Sequence, residues 1–169
     1  MAYTEHRASA ESLVVRCAIV TLSDTRTVEN DRSGAAIKRL IESAGHLVTH
    51  YQIIPDDPGE LETLLEMLLG IADVDAILTT GGTGISRRDQ TISVIHRLID
   101  VPLPGFGELF RMLSWNEIGS GAMLSRALGG VARGKLLFAM PGSTAAVELA
   151  MTKLILPEIQ HLLHELRKS

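Results

Sequence analysis

Gly81, Gly82 and Gly84, with Thr83 among them, follow the apolar run Ala76-Ile-Leu-Thr-Thr80 and precede the polar stretch Ile85-Ser-Arg-Arg-Asp-Gln-Thr91. Residues without Cβ let a backbone turn tightly, adopt positive φ and bring its N–H groups close to a ligand. A helix opening near Asp89 adds unpaired N–H groups and the positive end of its dipole, so the loop suits an anion such as phosphate. A plain strand-to-helix turn would account for one glycine, whereas three glycines and a threonine in four positions favour a ligand. The stretch lacks the Gly-Lys-[Ser/Thr] of a Walker loop and the glycine spacing of a dinucleotide fingerprint, so the ligand stays open. Gly105-Phe-Gly107 only imitates that fingerprint, because no strand precedes it.

Carboxylates recur at similar places. Asp24 follows the run Val14 to Leu22 in Ser23-Asp24-Thr25, Asp56 and Asp57 stand in Pro55-Asp-Asp-Pro-Gly59, and Asp89 lies beyond the glycines. Taken singly, Asp24, Asp56 and Asp57 read as turn or capping residues, and Asp89 with Ser86 matches a capping box. The elements between them change the weighting. Val14 to Leu22 is a nearly continuous branched apolar run, as in a parallel strand buried on both faces. Ile37, Leu40, Ile41 and Ala44 recur at helical spacing before Gly45, Leu47 to Ile54 reads as a second strand, and Leu61, Leu64, Leu65, Leu68 and Ile71 form the next helical stripe. Strand, helix, strand, helix, strand with short links specifies parallel βαβ units. Ser23-Asp24, Asp56 and Gly81 to Asp89 are then expected on one edge, beyond the strands' carboxyl ends, where such sheets bind ligands.

After a helix carrying Ile92, Ile95, Leu98 and Ile99, Val101-Pro-Leu-Pro-Gly105 interrupts the chain, and Phe106, Leu109, Phe110 and Leu113 form another helical stripe. Met123 to Gly130 brings Ser125 and Arg126, Lys135 to Met140 is a further strand ending in Pro141-Gly142-Ser143, and a last helix contains Pro157, a candidate kink. The expected fold is a single three-layer α/β/α domain of Rossmann-like type with a mostly parallel sheet over 13–169, preceded by a flexible arm over 1–12.

The chain's 169 residues suit one domain, and an apolar fraction of 46% with 4% aromatics suits an aliphatic sheet core. A net charge of −4 argues against nonspecific nucleic-acid binding, and no apolar run reaches the roughly 18 residues of a membrane span. The lone Cys17 calls for no oxidising compartment, so a cytoplasmic location is expected. His161 and His164 lack the accompanying ligands of a zinc site, and no Ser-His-Asp or Cys-His set supports covalent catalysis.

Thr79-Thr-Gly-Gly-Thr-Gly84, Arg88-Asp89-x-Thr91, Pro104-Gly105, Leu124-Ser125-Arg126 and Pro141-Gly142-Ser143, in this order, closely resemble the MoaB/MogA family of molybdenum cofactor biosynthesis. The resemblance runs from about Arg16 to His161. It implies molybdopterin binding at the sheet edge and adenylylation of molybdopterin by ATP and Mg²⁺ with loss of pyrophosphate; a noncatalytic molybdopterin-binding scaffold or carrier is the alternative. It also implies a homotrimer or dimer of trimers, with other proteins of the pathway as possible partners. Asp56, Asp89 and Ser125 match the family's functional positions, with Asp56 and Asp89 as candidate Mg²⁺ holders. Gly81, Gly82, Thr83 and Gly84 match its phosphate loop, and Ser23, Asp24, Arg126, Pro141, Gly142 and Ser143 complete the candidate binding set. A phosphate monoester with a second pKa near 6 is mostly a dianion at neutral pH and needs no strong base. Two aspartates beside phosphate would repel it unless a magnesium ion lay between them. Arg87, Arg88, Arg111 and Arg126 are candidate counter-charges.

Overall fold

A computed structural model describes residues 13–168; the expected arm over 1–12 lies outside the described residues. One six-stranded sheet has the order β2-β1-β3-β6-β5-β4. β1 (Arg16–Leu22), β2 (Leu47–Ile54), β3 (Ala76–Thr80) and β6 (Lys135–Met140) run parallel, while β4 (Val101–Pro102) and β5 (Leu128–Ala132) add an antiparallel edge.

Alternation along the strands builds the layers, because successive side chains point to opposite faces. Cys17 and Ile19 of β1, Leu78 of β3, and Phe138 and Met140 of β6 face one side. There they pack on α1 (Arg32–Ser43), α4 (Pro104–Ile118), α5 (Thr144–Ala150) and α6 (Leu156–Leu166). Ala18, Val20, Ile77, Leu137 and Ala139 face the other side, against α2 (Pro58–Gly70) and α3 (Thr91–Leu98). Both faces being covered explains why the strands read as continuous apolar runs. Gly45 takes φ +80° as α1 ends, and its N–H reaches Glu42 O at 3.1 Å. Pro157, which has no N–H to donate, sits in the first turn of α6 just after the π-turn Met151–Ile155; that wider turn joins α5 to α6.

Three expectations are corrected. The segment before β6 contains β5, whose Gly129 and Gly130 hid the strand pattern. Cβ atoms there would fall 2.7 Å from the Phe138 ring and 2.6 Å from Ile99, so the absent side chains let the sheet edge close on its neighbours. Val101 and Pro102, read as a break, form the short edge strand β4. Asp89 does not cap α3: the helix begins at Thr91, and Asp89 Oδ2 instead accepts the N–H of Ser86 at 2.9 Å, closing a turn upstream of the helix.

At the opposite end of the sheet Asp75, 5% exposed, accepts the Arg16 backbone N–H, Nε and Nη2 and Arg167 Nη2, each at 2.9 Å. Burial pushes Asp75 upward, but the Arg16 hydrogen bonds and the charges of Arg16 and Arg167 outweigh it and hold the carboxyl below its ordinary value. With a depressed folded-state value, the clasp contributes fully above the ordinary carboxylate range and is lost as pH falls through the folded value. Asp75→Asn is expected to cost about 2 kcal/mol at neutral pH, because both guanidiniums retain water. The difference from the unsubstituted protein should shrink in acid, as read by urea unfolding across pH.

Candidate functional site

Each strand of the parallel half delivers a loop to the same edge. Asp24, after β1, accepts the Asp56 backbone N–H on Oδ1 at 3.0 Å and Arg88 Nη2 on Oδ2 at 2.8 Å, tying the loops after β1, β2 and β3 together. The two acids after β2 divide their work: Asp57 caps α2 by accepting from Gly59 and Glu60, which leaves the Asp56 carboxylate to the site. The glycine loop leans on its neighbours. Gly81, at φ +99°, donates its N–H to Met140 O at 3.1 Å, and Gly82, at φ +62°, accepts from the Thr91 N–H at 3.1 Å.

Absent Cβ atoms shape the centre. On Gly82 a Cβ would fall 2.7 Å from Asp56 Oδ1 and 2.2 Å from Thr91 Oγ1; on Gly84 it would fall 2.7 Å from Asp89 Oδ2. Both carboxylates therefore crowd onto the glycine turn. Burial, then the charges of Asp89 and Asp24, push Asp56 above its ordinary value, with Arg88 opposing. The Ser86 side chain, helped by the backbone N–H groups of Ser86 and Gly84 and by Arg126, holds Asp89 below its own. The surroundings thus favour the ionised form of Asp89 and disfavour that of Asp56. Among the described residues no three His, Cys, Asp or Glu side chains gather as a metal-holding group. A cation here would have two carboxylates and would need oxygens from a ligand, which suits Mg²⁺ bound with phosphates.

Arg126 Nη1 donates to Gly84 O at 2.7 Å, carrying the Ser125 segment to the loop. Ser125 lines a neighbouring cleft of about 240 Å³ with Pro141, Ser143, Ser114 and Glu117. Gly142 joins the two regions, since a Cβ on it would lie 3.3 Å from Gly81 Cα, and its carbonyl accepts Arg26 Nη2 and Ser33 Oγ. Other expected binders are engaged within their own segments. Ser23 Oγ accepts the N–H groups of Thr25 and Arg26, and Ser143 Oγ caps α5 through the Ala146 N–H. Thr83 is buried, and Arg111 lies over Gly107 of its own helix rather than on the glycine loop. Ser114 and Glu117 escaped the sequence reading, although their spacing of three on α4 marks one helical face.

Residues 18–161 match the family model described as a probable molybdopterin binding domain. The chain is 50% identical over 170 residues to molybdenum cofactor biosynthesis protein B of Halalkalibacterium halodurans, covering 100% of this chain and 99% of that protein. A crystal structure of molybdenum cofactor biosynthesis protein B superposes with a TM-score of 0.91 at 52% identity, covering 93% of this chain and 98% of the other. The tungsten cofactor synthesizing protein MoaB from Pyrococcus furiosus gives 0.83 at 35% identity, covering 92% and 98%. With the glycine turn, its paired aspartates and the Leu-Ser-Arg segment falling inside the matched span, the chain belongs to the MoaB/MogA family of molybdenum cofactor biosynthesis.

Proposed function

We propose that the protein binds molybdopterin and adenylylates it with ATP and Mg²⁺, releasing pyrophosphate. The observation that carries this reading is the convergence of the Asp56 and Asp89 carboxylates on the glycine turn at Gly82 and Gly84. Phosphate oxygens fit a backbone of glycines, but two carboxylates beside them fit only if a cation intervenes. Asp56 and Asp89 would hold that magnesium, which when bound neutralises phosphate charge. In the transfer, an oxygen of molybdopterin's terminal phosphate attacks the α-phosphorus of ATP, the bond to the bridging oxygen of the β-phosphate breaks, and pyrophosphate carries the electron pair away. The attacking monoester is already mostly a dianion at neutral pH, so the chain's task is positioning rather than proton removal.

The remaining residues have roles that follow from their places. Gly81 to Gly84 admit phosphate against backbone N–H groups, and Arg88 and Arg126 supply positive charge on either side of the loop. Ser125, with Ser114 and Glu117, offers hydroxyl and carboxylate groups to the polar edge of a pterin in the adjoining cleft. The test is pyrophosphate release that requires both molybdopterin and Mg²⁺. Tight pterin binding with ATP left intact would instead make the protein a scaffold or carrier.

We also propose a homo-oligomer, a trimer or dimer of trimers. Phe106 and Phe110 of the α4 stripe are buried within the chain's own core, so the support comes from the apolar residues of α4 that stay exposed. Leu109, Met112, Trp115 and Ile118 stand exposed on the outer side of α4, and Met123 and Leu124 extend the patch. Large contiguous apolar patches mark interaction sites. Trp115, 59% exposed, is expected to be an anchor, so Trp115→Glu should convert the oligomer to monomer in sedimentation equilibrium with little loss of helix. A monomeric mass for the unsubstituted protein at every concentration would contradict this.

A further inference from the structure

Thr91 opens α3 and is 1% exposed, yet among the described residues its Oγ1 has no hydrogen-bond partner. A buried hydroxyl left in that state calls for an explanation, because nearly all such groups are satisfied. Its surroundings supply one. Oγ1 and Asp56 Oδ1 both crowd the bare Cα of Gly82, at 2.2 Å and 2.7 Å from where a Cβ would be. Thr91 also donates its backbone N–H to Gly82 O at 3.1 Å, which ties its backbone to the loop. Asp56 meanwhile has its backbone N–H held by Asp24, but no described hydrogen bond holds its carboxylate.

We propose that Thr91 is a positioning residue: its O–H donates to Asp56 Oδ1 across the Gly82 gap and orients that carboxylate when a divalent cation is bound. The inference rests on the proposed function, in which Asp56 helps to hold the ion. A threonine at the first turn of the helix suits the task, because its backbone is already anchored to the glycine loop that the ligand would touch. Glycine at position 82 keeps a Cβ out of the space beside both oxygens.

The experiment is titration of the full chain with Mn²⁺, followed by electron paramagnetic resonance of the free ion, alongside thermal midpoints. Thr91→Val, isosteric but without the donor, should weaken Mn²⁺ binding about tenfold, the size of one hydrogen bond to a charged group, with the midpoint unchanged or raised. Thr91→Ser should restore most of the affinity. A valine variant that binds Mn²⁺ as tightly as the unsubstituted protein overturns the inference and leaves the proposed function standing. So does a loss that serine fails to repair, or one that merely tracks a lowered midpoint, since either makes Thr91 a packing residue. If the unsubstituted protein itself binds no Mn²⁺, the metal part of the proposed function fails first and takes this inference with it.

Discussion

Asp56→Asn is expected to lower Mg²⁺-dependent adenylyl transfer at least about tenfold, roughly 1.4 kcal/mol of transition-state stabilisation, while leaving the thermal midpoint unchanged or slightly raised. The two effects separate because the carboxylate holds up no local structure: Asp57, not Asp56, caps α2. Burial and the charges of Asp89 and Asp24 raise the Asp56 folded-state value, so its ionised form costs stability as pH rises past the ordinary carboxylate range. Asparagine removes that charge. Asp89→Asn should lose a similar amount of activity for a different balance of reasons. Its amide oxygen can still accept the Ser86 N–H, but the depressed value of Asp89 means that the ionised form is the favoured one, and a small loss of stability is expected. Steady-state rates across a magnesium titration, with thermal melts of each variant, check both; two variants with wild-type rates throughout would remove the metal-holding role.

Gly81→Ala should be the most damaging single change in the loop, at about 3 kcal/mol or more and on the order of 10 °C in thermal midpoint. Gly81 sits at φ +99°, where an L side chain is strained, and a Cβ would meet the Leu22 carbonyl oxygen at 2.4 Å, so neighbouring backbone must move. Its N–H also bonds β6 through Met140 O, which carries the disturbance into the centre of the sheet. Gly84→Ala is the control. Its φ is not in the left-handed region and its obstruction is the Asp89 carboxylate at 2.7 Å, a side chain that can yield. That variant should fold nearly as well while disturbing the site. Urea unfolding of the pair distinguishes glycine needed for the fold from glycine needed for the ligand.

The parallel half of the sheet and its helices were legible because their physics is local: branched apolar runs for strands buried on both faces, and stripes at helical spacing for the helices. The gathering of Asp24, Asp56 and the glycine loop on one edge was legible through topology, since βαβ order alone sends those loops to the same end. What was not legible depended on contacts distant in sequence. β5 is a strand whose Gly129 and Gly130 make room for Phe138 and Ile99, residues that no local pattern connects to them. The direction of the Asp89 carboxylate, back onto Ser86 instead of forward into α3, depends on one backbone turn. Ser114 and Glu117 join Ser125 only because α4 packs beside the start of α5. The unsatisfied Thr91 hydroxyl is invisible without coordinates, although Thr91 itself stands in the motif that carried the resemblance.

The most direct test of adenylyl transfer is incubation of the purified protein with molybdopterin, Mg²⁺ and ATP labelled in the α-phosphate. Label should appear in the pterin, one AMP for each pyrophosphate released, and should disappear when magnesium is chelated. Molybdopterin that stays bound and unlabelled at saturating ATP and magnesium would contradict the account and leave the protein a binder of its pterin.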